Sequence, residues 1–325
     1  MTVLVIGGCG FVGLNLAARL AGDGRPVVLF DARPPDAATL ALLAALPGAV
    51  RFVAGDVREP AGLLAVTAEV AATYVVYGAA LTAGPAREAE APGQILEVNL
   101  LGLVNALTAA RAAGVRRVVN LSSVAAYGAA GLRHARLEEE RTPEDPRALY
   151  PITKFAGERV SSRLAELWGC DVASVRLSGM FGPFERPTGV RDTLSPQLQV
   201  IERLARGEAA VLPRPGLRDW LYAPDAASAI MALMDAPALE HGLYNIGPGV
   251  RWSVLDWGRL VALALGLPES QCRLAEPGEA PNVDFHGPGD RAPLAIDRLV
   301  AATGFSPAFD MAGSAQDLAA RWRPA

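Results

Sequence analysis

The stretch Val3-Leu4-Val5-Ile6-Gly7-Gly8-Cys9-Gly10-Phe11-Val12-Gly13 decides the fold. Its apolar run predicts a buried strand, its glycines a tight loop, and the apolar spacing over residues 11–21 a helix. Gly7, Gly10 and Gly13 form G-x-x-G-x-x-G, in which missing side chains let the backbone turn tightly and approach a pyrophosphate at the helix N-terminus. A second apolar run, residues 27–30, follows the turn Gly22-Asp23-Gly24 and ends in Asp31, 18 residues after Gly13. A carboxylate there accepts hydrogen bonds from both ribose hydroxyls of an adenosine and repels a 2′-phosphate, so NAD is expected rather than NADP. Arg33 is expected against the adenine or in solvent, and Asp56, in Gly-Asp-Val after the third strand, at the adenine edge.

Working outward, helix and strand patterns alternate: a helix near 35–46, a strand near 50–54, a helix around 59–68, a strand at 74–77, a helix around 94–113 and a strand at 117–121. Residues 129–147 are polar and read as a loop, a helix begins near Tyr150, and 170–177 reads as another strand. The alternation predicts an α/β protein with a Rossmann-type, doubly wound parallel sheet. Prolines and glycines then interrupt it, so residues 1–177 are expected to bind NAD and 178–325 to form mainly a smaller substrate domain, with segments returning to the first.

The chain has 325 residues, 51% hydrophobic and 20% charged, with net charge −4, enough for a sizeable core and without the basic block of a nucleic-acid binder. No uncharged apolar run is read as a membrane span, and no secretory n-region is read before the first strand. A cytoplasmic protein with reduced thiols is expected. Three cysteines and three histidines lie scattered without zinc-site spacing, so no metal is expected.

Of the 30 basic residues 29 are arginine; the one lysine is Lys154, four residues after Tyr150. On a helix the two share a face. A phenol of pKa about 10 needs a neighbouring positive charge to act as a base near neutrality, and an ammonium supplies a compact charge with three rotatable donors. Ser123 follows the strand at 117–121 at the carboxyl edge of the sheet, where its hydroxyl can hold the substrate oxygen whose proton Tyr150 removes.

Taken together, the glycine loop, Gly55-Asp56-Val57, Asn99 in Val-Asn-Leu-Leu-Gly, Ser122-Ser123-Val-Ala-Ala-Tyr127-Gly128, Tyr150-Pro-Ile-Thr-Lys154, Arg176-Leu, Gly182-Pro183, Arg218-Asp219-Trp220 and Tyr244-Asn245-Ile246-Gly247 resemble the extended short-chain dehydrogenase/reductase family, home of NAD-dependent sugar epimerases and dehydratases. The resemblance implies tightly bound NAD, frequent homodimers, and cofactor contacts from Phe11, Val12, Val57 and Asn99 besides Gly7, Gly10, Gly13, Asp31, Arg33, Asp56, Tyr150 and Lys154. It also implies catalytic roles for Ser123, Tyr150 and Lys154.

Departures from the family narrow the chemistry. Dehydratases carry Asp-Glu where this chain has Val124-Ala125, which disfavours elimination. Nucleotide-sugar enzymes usually have Asn three residues after the Arg that Arg176 resembles; here it is Gly179. No distal diphosphate-binding Arg is identified within residues 286–290. Arg186, Arg191 and Arg218 are candidates to grip a substrate carboxylate or phosphate, the first two equally readable as surface residues of a proline-rich loop. The leading expectation is an NAD-dependent dehydrogenase of a secondary alcohol or lactol in a small, anionic sugar derivative. The alternatives are a UDP-sugar 4-epimerase and, last, a non-catalytic NAD-binding protein.

Overall fold

The computed structural model describes residues 1–189, 194–287 and 289–322. The first half alternates strands and helices: β1 (Thr2–Ile6), α1 (Phe11–Gly22), β2 (Val27–Asp31), α2 (Ala37–Ala44), β3 (Val50–Ala54), α3 (Pro60–Glu69) and β4 (Ala72–Tyr77). After α4 (Pro85–Glu90) and α5 (Pro92–Leu96), a π turn (Glu97–Leu101) leads into α6 (Gly102–Ala112). Then come β5 (Arg117–Ser123), a 3-10 turn (Val124–Tyr127), α7 (Leu149–Trp168) and β6 (Val172–Leu177).

The second half is more broken: β7 (Met180–Phe181), α8 (Pro196–Ala205), β8 (Ala210–Leu212), β9 (Leu217–Arg218), β10 (Leu221–Tyr222) and α9 (Ala223–Asp235). β11 (Leu243–Ile246), β12 (Trp252–Ser253), α10 (Val254–Ala264), β13 (Cys272–Leu274), α11 (Asp297–Thr303) and α12 (Met311–Arg321) complete it.

Seven strands form one sheet in the order β11-β6-β5-β4-β1-β2-β3, and every pairing is parallel. The order reverses between β1 and β4, which opens a crevice at the carboxyl edge where ligands of doubly wound sheets sit. Because side chains alternate across a strand, β1 sends Val3 and Val5 to one core and Leu4 and Ile6 to the other, all fully buried. Both faces are thus covered by helices, which is why these strands read as continuous apolar runs.

Residues after 177 contribute to two cores. Helix α9 and strand β11 add Ile230, Leu233, Tyr244 and Ile246 to the core beneath α1. A separate cluster of Phe181, Val200, Ile201, Trp220, Trp257, Phe285 and Leu318 forms the smaller lobe.

The expected continuous helix at 94–113 is split by the π turn around Asn99, whose side chain is recruited elsewhere. The stretch Pro92–Ala112 is long and apolar enough to cross a membrane by length and composition, but it carries Glu97 and Arg111 and so is not an uncharged run. Its Leu103, Ala106 and Leu107 are buried against the sheet layer, the place of a core helix.

Candidate functional site

The glycine loop lies at the reversal point. Gly7 has φ +74°, and a Cβ there would come within 2.4 Å of the Ala79 nitrogen, so only glycine lets the loop settle against the segment after β4. A Cβ at Gly13 would lie 2.6 Å from the Gly8 carbonyl, so its absence lets α1 approach the loop. Gly10 caps α1 without a side-chain hydrogen bond, and Phe11 and Val12 open the helix, whose N-terminal amides favour an anion. Asp31, at the end of β2, accepts a 3.0 Å hydrogen bond from the Cys9 amide, while burial raises its pKa. A cradle that any Cβ would fill, with a carboxylate beside it, fits the pyrophosphate and adenosine ribose of NAD.

Four expected cofactor or substrate contacts have other partners. Asn99 Oδ1 accepts from the Leu81 amide at 2.7 Å, and its Nδ2 donates to the Leu81 carbonyl at 3.1 Å and to Thr153 Oγ1 at 3.0 Å. Both amide protons are thus used internally, and Asn99 braces the π turn against the segment after β4 and α7. Asp56 is paired with Arg58, whose Nη2 lies 2.6 Å from Oδ2 and holds the carboxyl below its usual range; Val57 beside it is buried. The expected adenine contact of Asp56 therefore competes with an ion pair. Arg33 is exposed on the rim, its amide 3.5 Å from Asp31 Oδ1.

Arg186, expected as a substrate contact, pairs with Asp36, the cap of α2, and donates to Thr39 Oγ1 at 3.1 Å. Its segment also crosses to α1, where Asn15 Nδ2 donates to the Pro183 carbonyl at 2.7 Å. Arg186 thus lies at the start of α2, which follows β2 and Asp31. Arg191 falls outside the described residues. Gly179 is a packing glycine: a Cβ there would lie 2.9 Å from the Trp220 ring.

Ser123, Tyr150 and Lys154 gather at the carboxyl end of β5. Helix α7 starts where the Leu149 amide is capped by Glu88 Oε1 at 2.8 Å, which sets Tyr150 in its first turn and Lys154 one turn on. Lys154 Nζ donates to the Leu121 carbonyl at 2.7 Å and lies 5.8 Å from the centre of the Tyr150 ring. Burial pushes this ammonium down to about 8, opposed by the charge of Glu158. Ser123, half-buried, caps the 3-10 turn by accepting the Ala125 amide at 3.1 Å. A hydroxyl, a phenol and a buried ammonium are the groups that acid–base chemistry at a carbinol requires.

The second half of the chain holds a cationic cluster that the sequence pointed to only in part. Arg218 lies over the Trp220 ring at 5.3 Å and donates to the Gly289 carbonyl at 3.0 Å. Burial, then the charges of Arg291 and Arg214, push its pKa down to about 10. Arg291 is half-buried as a residue, but its Nε is fully buried and lacks a partner among the described residues. Asp219 is its compensating charge, and its stem packs where a Cβ on Gly131 would lie. It stands one residue beyond the window searched for a distal Arg; extending Gly-Pro-Gly-Asp by one position would have found it. Desolvated, mutually repelling guanidiniums favour an anion. Beside them a cavity of about 440 Å³ is bounded by Pro213, Arg214, Asn282, Val283 and Phe285, with Arg214 over the Phe285 ring at 5.0 Å.

Residues 3–247 match the model of the NAD dependent epimerase/dehydratase family, and the chain belongs to that family. It is 32% identical over 289 residues to a UDP-glucose 4-epimerase of Neisseria gonorrhoeae, covering 82% of this chain and 83% of that one. Among solved structures it is similar to the UDP-glucose 4-epimerase of Thermus thermophilus in complex with NAD, at 26% identity, TM-score 0.76 and 98% coverage of both chains. It is similar also to MoeE5 in complex with UDP-glucuronic acid and NAD, at 26% identity, TM-score 0.75 and 98% coverage of both. The protein is an NAD-dependent extended short-chain dehydrogenase/reductase enzyme.

Proposed function

We propose that this enzyme epimerises a nucleotide sugar at a secondary carbinol, with a UDP-sugar as the first substrate class to test. The observation that carries this reading is the desolvated pair Arg218 and Arg291, beside a cavity of about 440 Å³ that Arg214 lines. Two guanidiniums suit a diphosphate, and the cavity by Arg214 suits a base. The names of the relatives support the same class.

In this reading Tyr150 takes the hydroxyl proton of the reacting carbon and later returns it. Ser123 holds the oxygen, and Lys154 stabilises the phenolate by its charge. NAD, held by the glycine loop and Asp31, supplies reversible hydride acceptance when bound. Val124, buried, and Ala125 offer no titratable group for elimination, which argues against a dehydratase.

One observation favours the dehydrogenase of a small anionic sugar as a second reading. Gly179 presents no amide side chain, and the Trp220 ring occupies the space one would need. The test is incubation with UDP-sugars and with sugar acids, following epimers and NADH together. Epimers without net NADH support the first reading; NADH with a sugar acid alone replaces it by the second.

A further inference from the structure

Beneath the acid–base site lies a buried ionic cluster that the proposed chemistry does not use. Glu158, 5% exposed and one helical turn beyond Lys154, accepts a hydrogen bond from Ser122 Oγ on β5. It also accepts from Arg176 Nε at 2.9 Å and Nη2 at 2.6 Å, on β6. Arg176, fully buried, reaches Glu144 at 2.7 Å and lies over the Tyr127 ring at 4.2 Å. One guanidinium thus faces two carboxylates, and the ammonium of Lys154 completes the charge balance.

We infer that Glu158 is a positioning residue for the reaction: it ties β5, through Ser122 beside Ser123, to α7, one helical turn beyond Lys154. The inference rests on the assignment of Tyr150 and Lys154 as the acid–base pair. Moving Lys154 into a buried site disfavours its charge, and a carboxylate one turn away on the same helix face offsets this.

The other charged groups packed against α7 are placed too far off or are already paired. Arg117 on β5 is bound to Asp171, and Arg111 on α6 lies over Trp168 at the far end of the helix. Glu97 of the π turn is exposed beside Arg58. Tyr127 faces Arg176, and Tyr150 faces Lys154. Glu88 sits at the first turn of α7 on the Leu149 amide, and Glu144 is held by Arg176. Glu158 is itself paired with Arg176 and Ser122, and it is the carboxylate one helical turn from Lys154 on the same helix.

Because Lys154 is the one lysine, protein labelled with 13Cε-lysine gives a single side-chain signal whose pH titration reports this ammonium directly, without substrate. In Glu158→Gln the midpoint is expected to fall by about half a unit or more, and in Glu158→Asp to stay nearer the native value. Ser122→Ala is expected to lower kcat at least several-fold with the Lys154 midpoint and the melting temperature unchanged. A folded Glu158→Gln with the native midpoint overturns the inference, as does Ser122→Ala with native kcat. Should Glu158→Gln not fold, Ser122→Ala still decides the tie to β5. Failure of the epimerase reading would show as absence of epimers and leave the lysine titration intact.

Discussion

Lys154 Nζ donates to the Leu121 carbonyl at 2.7 Å, so the ammonium is anchored to the strand that carries Ser123, not only to the helix that carries Tyr150. The charge and the phenol are thereby held in one frame. Below about pH 8 the ammonium is present, and it is lost as pH rises through that value. Turnover is therefore expected to fall on the alkaline side of pH 8, measured as kcat against pH at saturating substrate.

Tyr150→Phe removes the phenol proposed to take the proton and leaves the glycine loop untouched. Turnover is expected to fall by about 10²–10⁴-fold with NAD binding retained, read from activity and from NAD carried through gel filtration. Near-native turnover would remove Tyr150 from the mechanism.

Arg218→Met removes one of three crowded guanidiniums. The KM for a nucleotide sugar is expected to rise about 10- to 100-fold, the loss of a charged hydrogen bond. The melting temperature should hold or rise, because burial and the charges of Arg291 and Arg214 already disfavour the Arg218 charge.

Gly179→Ala sets a methyl 2.9 Å from the Trp220 ring that carries Arg218. Overpacking of this kind costs about 1–3 kcal/mol. A lower melting temperature and a higher substrate KM are expected together, from thermal denaturation and initial rates.

Arg186→Ala cuts the link from the segment after β7 to Asp36 and Thr39. NAD is expected to dissociate faster while the sugar KM stays near native, because this guanidinium braces the start of α2, which follows β2 and Asp31. Stopped-flow displacement of NAD measures the first and initial rates the second.

The fold was legible because burial on both sheet faces leaves uninterrupted apolar runs, and because glycines and prolines mark where those runs stop. Asp31 at a strand end and the Tyr150–Lys154 pair on one helix were placed from their positions along the chain alone. Asn99, Asp56 and Arg186 were harder, since each polar group there is claimed by a partner, from Arg58 two residues away to Asp36 at the start of another helix. Gly179 is explained by a ring 41 positions later, and Glu158 by a guanidinium on the next strand. Such pairings follow from the packing of elements, which residue spacing does not encode.

The most direct test is to give the purified enzyme, with NAD, a UDP-sugar and to follow by chromatography the epimer ratio and by absorbance the NADH. The expected result is approach to an equilibrium mixture of C4 epimers with no net NADH, lost in Tyr150→Phe. Stoichiometric NADH, from a UDP-sugar or from a sugar acid, without any epimer would contradict the epimerase reading.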